Sequence, residues 1–431
     1  MRITALARAH AGTSALLAVL TAVACLLLAG LPRTVQGAFD DTLRRSLSAA
    51  PAVRTDLTVV GEPATTDGDL HERAPFEALD ARWRGLLPAA LRPLTRSGGH
   101  ISAKTVRTPV FGGTGPAGRY INLGWLSDAG RRVRWVRGRE PGGTSVMPYL
   151  DRTIPLVEVG VVDEAARTMG LRIGQTELVG ANDLVAVRIV GVFTAVRPGD
   201  RVWSHDLDVL HVTRIVPEDA PEELHTTALL SDAGLSALGS RARTLTYRWV
   251  LPVDGRAADA AGAAELHAAA AEFGRQLAVQ GTSTMNFRLV TGLPQLLAGF
   301  LAAQSAARTV MYLVLGGLLA VALGVIALGV RLLGDRMEPA LALARARGGS
   351  LRQVAGAQAA LTGLAVGPAA LAGYGLSFLV PGPVPPVAHL GPAVVLGTAV
   401  GFAAVRAAGR HRARRCAAAR RWPPPGRPRG G

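Results

Sequence analysis

The chain is poor in the residues on which most enzymes and nucleic-acid binders rely. Its 431 residues include two cysteines, a single lysine (Lys104), 5% aromatic residues and 18% charged residues. Cys25 lies in an apolar run and Cys416 in a basic tail. Two such cysteines offer no disulfide framework and exclude a cysteine-built zinc site. No G-x-x-x-x-G-K-[ST] occurs, and Lys104 lies outside any glycine-rich loop, which argues against ATP hydrolysis on this chain. Neither H-E-x-x-H nor G-x-S-x-G is present, so no catalytic constellation and no cofactor is expected. The nine histidines are scattered. His205 and His211, near Asp206 and Asp208, come nearest to a cluster, and ordinary surface polarity is the default there over a metal site. The acidic pairs Asp40–Asp41 and Asp163–Glu164 read as charge placed at helix starts.

What the chain has is apolar surface and unevenly placed positive charge. Hydrophobic residues make up 49%. The net charge of +16 would suggest nucleic acid in a soluble protein. Its distribution points elsewhere. Residues 31–308 hold 31 basic and 29 acidic residues, a net of +2, whereas the flanks hold 16 basic residues against only Asp335 and Glu338, a net of +14. A near-neutral middle between basic flanks fits the positive-inside rule. The expectation is an integral membrane protein with no nucleic-acid partner.

Residues 11–31 carry no charge and are long enough to span a bilayer. They follow Arg2 and Arg8 and lack a clear A-x-A site, so they read as an uncleaved first span. Residues 32–292 contain no spanning run and read as a mixed α+β domain. Strands are expected at 56–60, 119–126, 131–138 and, rich in β-branched residues, at 185–196. Short and long helices are expected at 162–170, ending at Gly170, and at 256–280, with Leu266, Phe273 and Leu277 on one face. Residues 293–330 are helical throughout, a stalk leading into a second span. The basic loop 331–353 follows, with Pro339 suited to start a short helix and Gly348–Gly349 to end it. A third span at 354–380, a short turn at 381–392 and a fourth span at 393–405 lead to a tail, 406–431. The tail has nine arginines and no apolar periodicity, and is expected to lack order. The fold expected is thus an α-helical membrane protein of four transmembrane helices with a large α+β extracytoplasmic domain between the first and second, and both termini cytoplasmic at the plasma membrane. Gly397-x-x-x-Gly401 in the fourth span, and Gly316, Gly317 and Gly324 in the second, suit close helix packing.

One helix, a large external domain and three more helices is a plan that resembles the FtsX-like, or MacB-type, ABC transporter permease family. The most specific likeness lies in residues 335–353, DRMEPALALARARGGSLRQ, against that family's R-x-x-E-x-A-L-x-R-A-R-G-A-S-x-R-Q loop. Glu338, Ala340, Arg345, Ala346, Arg347, Gly348, Ser350, Arg352 and Gln353 fit, and Pro339 and Gly349 depart. RGREP (137–141), residues 155–175 and residues 187–203 resemble segments of the family's external domain. The resemblance implies a non-catalytic permease that works with a separate ATPase, for export or mechanical signalling through the external domain. Asp335, Arg336, Glu338, Arg345, Arg347 and Arg352 would form charge-assisted contacts with that ATPase. A second permease chain and membrane lipids are the other partners implied. Two alternatives stand beside this reading: a membrane-anchored extracytoplasmic binding or sensor protein without an ATPase, and a truncated, non-functional permease. Relatives often carry a second copy of the unit, and this chain stops after one.

Overall fold

The computed structural model describes residues 11–65, 70–95, 98–112, 117–180, 183–219, 221–238, 245–346, 350–384 and 386–420. They divide into two compact units: a helical unit from the N-terminal residues to Asp41 and from Ala302 onward, and a sheet unit, Thr42–Leu301.

In the sheet unit, twelve strands among the described residues form one mixed sheet. They are β1 (Leu57–Pro63), β2 (His100–Thr105), β3 (Gly118–Leu126), β4 (Val133–Gly138), β5 (Thr144–Tyr149), β6 (Arg152–Val162), β7 (Thr176–Val179), β8 (Val185–Ala195), β9 (Thr213–Ile215), β10 (Glu223–Leu230), β11 (Leu245–Leu251) and β12 (Met285–Val290). The main path runs β12-β1-β11-β2-β3-β10-β6-β8-β4, with β5 beside β6, β7 beside β8 and β9 beside β10. Pairing is parallel between β3 and β10 and between β6 and β8, and antiparallel elsewhere. β8 shows why this sheet forms: its sequence, VAVRIVGVFTA, is rich in β-branched residues and almost wholly buried, as a strand covered on both faces should be.

Two hydrophobic cores form in this unit. One gathers Phe76, Trp83, Trp249, Tyr247, Phe273, Phe287 and Leu293. It lies around β1, β11 and β12, the last turns of α1 (Ala11–Ala49), α2 (Arg73–Leu86), α5 (Ala263–Val279) and the first turns of α6 (Leu293–Ala346). Leu266, Ala270, Phe273 and Leu277 form the buried stripe of α5, as the 3.6-residue period requires. The buried aromatics keep their polar atoms satisfied where a partner is in reach: Trp249 Nε1 donates to the Phe76 carbonyl (2.9 Å) and Tyr247 Oη accepts from the Leu70 amide (2.9 Å). The other core lies around β3, β6, β8 and β10 and the helices α3 (Asp163–Thr168) and α4 (Asp232–Leu238). α3 gives way to Gly170 at φ 68°, the left-handed residue expected just beyond a helix end.

The helical unit contains four helices long and apolar enough to cross a membrane, with candidate spans at Ala15–Ala49, Leu293–Leu332, Gln358–Leu379 and Val387–Arg406. They belong to α1, α6 (Leu293–Ala346), α7 (Leu351–Leu376, continued by a 3-10 turn, Ser377–Leu379) and α8 (Val387–Arg420). Several boundaries differ from those read in the sequence. α1 runs on through Pro32 to Ala49. α6 continues through Pro339 to Ala346, so no separate short helix starts there. α8 starts at Val387 rather than 393, with Pro392 inside it, and its last span is correspondingly longer. The tail is helical to Arg420, where disorder was expected. The physical reason is common to all four. An internal proline removes one ladder hydrogen bond, and the flanking Ala, Leu, Met and Arg residues are among the best helix formers. The helix end expected at Gly348–Gly349 and the tail beyond Arg420 lie outside the described residues.

Small residues let these helices approach. A Cβ on Gly373 of α7 would lie 2.1 Å from the Ala22 carbonyl oxygen of α1. A Cβ on Gly391 of α8 would lie 2.8 Å from Leu28, and one on Gly329 of α6 2.8 Å from Leu17. Gly397 and Gly401 have open space around them, as have Gly316, Gly317 and Gly324. Substituting Gly373 by valine is therefore expected to separate α1 from α7 and cost about 1–3 kcal/mol or more. Gly397→Val should be tolerated. Thermal melting of the detergent-solubilised full chain compares them, and equal melting temperatures would contradict this packing.

Candidate functional site

The most elaborate polar arrangement among the described residues lies on the sheet unit, where segment 201–209 crosses four adjacent strands. The segment is two 3-10 turns, Arg201–His205 and Leu207–Val209, with Val202, Trp203 and Val209 buried beneath it. Each of the strands beside it supplies one donor. Arg248 of β11 donates to Asp206 (2.5 Å). Lys104 of β2 donates to Asp206 (3.0 Å) and to both oxygens of Asp208 (2.7 and 2.9 Å). Asn122 of β3 and Thr227 of β10, opposite one another in register, donate to Asp208 Oδ2 at 3.3 and 2.9 Å. The ordering β11-β2-β3-β10 thus becomes a row of donors, and Asp206 and Asp208, two residues apart, accept from it.

A second carboxylate anchors the other end of the segment. Asp56, wholly buried, accepts from Arg201 Nη2 (2.5 Å), the Val253 amide (3.0 Å) and His205 Nε2 (3.0 Å), which carries its ring proton on that nitrogen. Beside it His100 of β2 faces the His205 ring, with centroids 5.4 Å apart. Burial, and then the neighbouring His205, Arg132 and Arg248, push the His100 imidazole down to about 3, so it is neutral at any ordinary pH. His100, Lys104, Trp125, Trp203 and Asp206 line a small cavity between segment and sheet.

Chemically this is a clamp rather than a reaction centre. Each carboxylate is saturated by cations and hydrogen-bond donors. The sequence expectation of surface polarity at His205, Asp206 and Asp208 is corrected here. His205 and both aspartates are largely buried, because Lys104 and Arg248 neutralise the aspartates from strands about 40 to 100 residues away in sequence and Asp56 meets His205. His211 instead meets Glu164 (3.0 Å). Among the described residues no group of three or more His, Cys, Asp or Glu is arranged to hold a metal ion.

Two further carboxylates organise the same unit. Glu223 of β10 accepts from Arg107 (2.7 Å), Tyr120 (3.1 Å) and His225 (2.9 Å), and His225 stacks on Tyr120. It is held below its ordinary value, chiefly by His225. Glu158 of β6 receives both terminal nitrogens of Arg139 and the amides of Gly142 and Gly143 (3.1 and 2.8 Å). The RGREP turn is thereby pinned to β6. Within it Gly138 sits at φ 72°, where an added Cβ would strike the Val190 carbonyl. The Arg139 guanidinium, with the two amides, pulls the Glu158 carboxyl down to about 2. Beyond the RGREP turn and the His205–Asp208 stretch, sequence reasoning passed over these groups, Asp56, His100, Asn122, Glu158, Glu223, Thr227 and Arg248 among them. One signal was available: a chain that uses arginine everywhere else keeps one lysine, at the centre of the clamp.

The residues expected to dock a partner sit in the helical unit. Asp335 lies exposed on α6 and is paired with Arg406 of α8 (3.2 Å), so the structure gives it a partner within the chain. Arg336 and Glu338 lie within one turn of α6 beyond its span, and Arg345 lies two turns after Glu338. Arg352 stands in the first turn of α7. Arg347 lies outside the described residues. Between the helices, Ser350 and Gln353 form a reciprocal capping box, the side chain of each accepting the other's amide at 3.2 and 2.9 Å. That gives a local reason for the S-x-R-Q end of the motif. No protein-family model matches this chain, and no curated protein matches it.

Two measurements test the site. Lys104→Met leaves Asp206 and Asp208 buried with one cation fewer and should cost about 3 kcal/mol or more, since a buried pair broken on one side strands its partner. Adding Asp208→Asn should restore part of that loss in a denaturation double-mutant cycle; additive losses would contradict the clamp. Glu158 contributes stability at neutral pH that falls as pH drops from its ordinary value of 4.5 towards about 2, because the folded carboxylate resists the proton that the unfolded one accepts. Glu158→Gln should therefore flatten the fall in melting temperature across that window.

Proposed function

We propose that this chain is the non-catalytic, membrane-spanning subunit of an ABC transporter resembling FtsX-like and MacB-type permeases. It couples ATP hydrolysis on a separate subunit to movement of an extracytoplasmic domain, for export or mechanical signalling. The observation that carries this reading is the run from Asp335 to Gln353. It stands between the second and third membrane-capable helices, it holds the ordered Glu, Arg and Gly positions of the family's coupling loop, and it ends in a capping box at Ser350 and Gln353.

The mechanism follows from the elements on either side. The bilayer is crossed four times, with the arginine-rich ends of the spans in the cytoplasm of a plasma-membrane protein. The ATPase docks on Arg336, Glu338, Arg345, Arg347 and Arg352. Asp335 holds α6 to α8 through Arg406 and sets where the docking segment leaves the bilayer. Closure of the ATPase pushes α6 along its axis, the stiff direction of a helix. The first turns of α6 place Leu293 and Leu297 in a core of the sheet unit, which supplies the mechanical grip. The clamp on segment 201–209 keeps the strands of that unit moving as one body. A second permease chain completes the transporter, and the open glycine face of α8 at Gly397 and Gly401 suits that contact.

Affinity capture of the tagged protein from mild-detergent membranes tests this, with mass spectrometry of what accompanies it. An ABC ATPase is expected with the native chain and is expected to be lost from a Glu338→Ala, Arg345→Ala, Arg347→Ala variant that still inserts and melts normally. With no ATPase in either sample, the reading gives way to a membrane-anchored binding or sensor protein.

A further inference from the structure

Arg33 is the one residue of the helical unit whose charge the fold buries and leaves unanswered among the described residues. It follows Leu31 and Pro32 in α1 and is only 6% exposed. Nη2 donates to the Gly382 carbonyl (3.1 Å), and the guanidinium lies over the Phe378 ring, 4.8 Å from its centroid. Nε and Nη1 are buried and meet no acceptor. Among the described residues no carboxylate pairs with Arg33: the nearest acid along α1, Asp40, accepts from Gln36 (3.5 Å). A carbonyl dipole and an aromatic face do not neutralise a full charge removed from water, and two buried N–H groups without a partner call for an acceptor. Guanidinium N–H pairs suit the oxygens of a phosphate above other acceptors.

The setting identifies the source of such a group. Arg33 is the first charge that α1 meets after its apolar run, within a candidate span that continues to Ala49; the span of α7 ends at Leu379, and that of α8 begins at Val387. Gly382, at φ 130°, closes the turn against α1, where a Cβ would lie 2.5 Å from the Arg33 carbonyl oxygen. The end of the charge-free run of α1, the end of the α7 span and the start of the α8 span therefore meet around this one side chain. An uncharged run of 21 residues is about 30 Å long, the thickness of the hydrocarbon core, so Arg33 lies where lipid phosphates lie. Phe378 is half-exposed and Leu379 79% exposed, which places an aromatic ring and an apolar side chain between Arg33 and the surroundings of the helices.

We infer that Arg33, with the Phe378–Gly382 turn, forms a binding site for a phosphate oxyanion, supplied by the headgroup of a membrane phospholipid. Nε and Nη1 donate to the phosphate oxygens, and the acyl chains run beside Phe378 and Leu379. The site rests on the reading that these helices cross a bilayer, and is independent of any ATPase partner.

The test uses the purified full chain in non-ionic detergent and reads its melting temperature by intrinsic fluorescence. Three additions are compared: phosphatidylglycerol, diacylglycerol with the same acyl chains, and inorganic phosphate against chloride at equal ionic strength. Phosphatidylglycerol at a hundredfold excess over its Kd should raise the melting temperature by at least about 4 °C, and diacylglycerol should not. A shift given by inorganic phosphate alone would keep the oxyanion site and assign it to the free ion. Arg33→Met removes the unanswered charge without opening a hole. It should melt no lower than the native chain without phospholipid and lose the phospholipid shift, while Arg33→Lys keeps part of it. Overturning results are no shift in the native chain, an equal shift with diacylglycerol, or an Arg33→Met protein that melts lower yet keeps the full shift. The last would assign Arg33 a purely packing role. None of these results depends on whether an ATPase is captured, so the two readings fail separately.

Discussion

The hydrogen-bond ladder of α6 is the interaction on which the rest of this molecule depends. It runs without a break from Leu293 to Ala346, and each unit owns part of it. Its first turns complete an aromatic core with Trp83, Trp249 and Phe287. Its middle turns carry Leu315, Ile326 and Val330 into a different core with Leu17, Cys25 and Val366. A segment of that apolar length can satisfy its backbone groups away from water only as a helix. The same ladder therefore serves a sheet domain at one end and a membrane-capable bundle in its middle.

The two units handle polar groups in opposite ways. The sheet unit buries charge and answers it: Asp56, Asp206, Asp208 and Glu223 each meet several donors drawn from different segments of the chain. Such saturation is what makes a buried ion pair tolerable, because desolvation is offset only when every lone pair finds a partner. The helical unit excludes charge and achieves contact through small residues instead. Gly329, Gly373 and Gly391 let backbones come closer than any side chain would permit, which is how helices associate when lipid and side chain are equally apolar. Arg33 departs from both habits, and for that reason it stands out.

Much of the architecture was legible in the sequence, and the reasons are local. Spans are readable because a run of uncharged residues has its hydropathy whatever surrounds it. The strands at 56–60, 119–126 and 185–196 appear as β1, β3 and β8 because β-branched residues crowd them. Within 131–138 only Val133–Gly138 is strand, and Ala129–Arg132 forms one helical turn before it. The long helix expected at 256–280 starts later, at Ala263, after a 3-10 turn at Gly255–Ala257. β2, β5, β7, β9, β10, β11 and β12 went unnoticed: HISAKT and ELHTTALL, for example, mix polar and apolar residues without clean alternation, and only pairing with neighbours makes them strands. The helix boundaries missed at Pro32, Pro339 and Pro392 share one cause, since a proline costs a single ladder bond and a strong helical context outweighs it.

By itself, then, the sequence determined where apolar length suffices to cross a bilayer, where charge is excluded, and that a mixed α+β domain of some 260 residues lies between the first and second of those runs. Each is a property of consecutive residues. Tertiary structure alone decided the strand order that lines up Arg248, Lys104, Asn122 and Thr227 as donors, and which glycines touch a neighbouring helix. It alone decided, too, that Arg33 is covered by a turn some 350 residues away without an acid to meet it. Those depend on which distant segments share a neighbourhood, and neither hydropathy nor periodicity records distance in space.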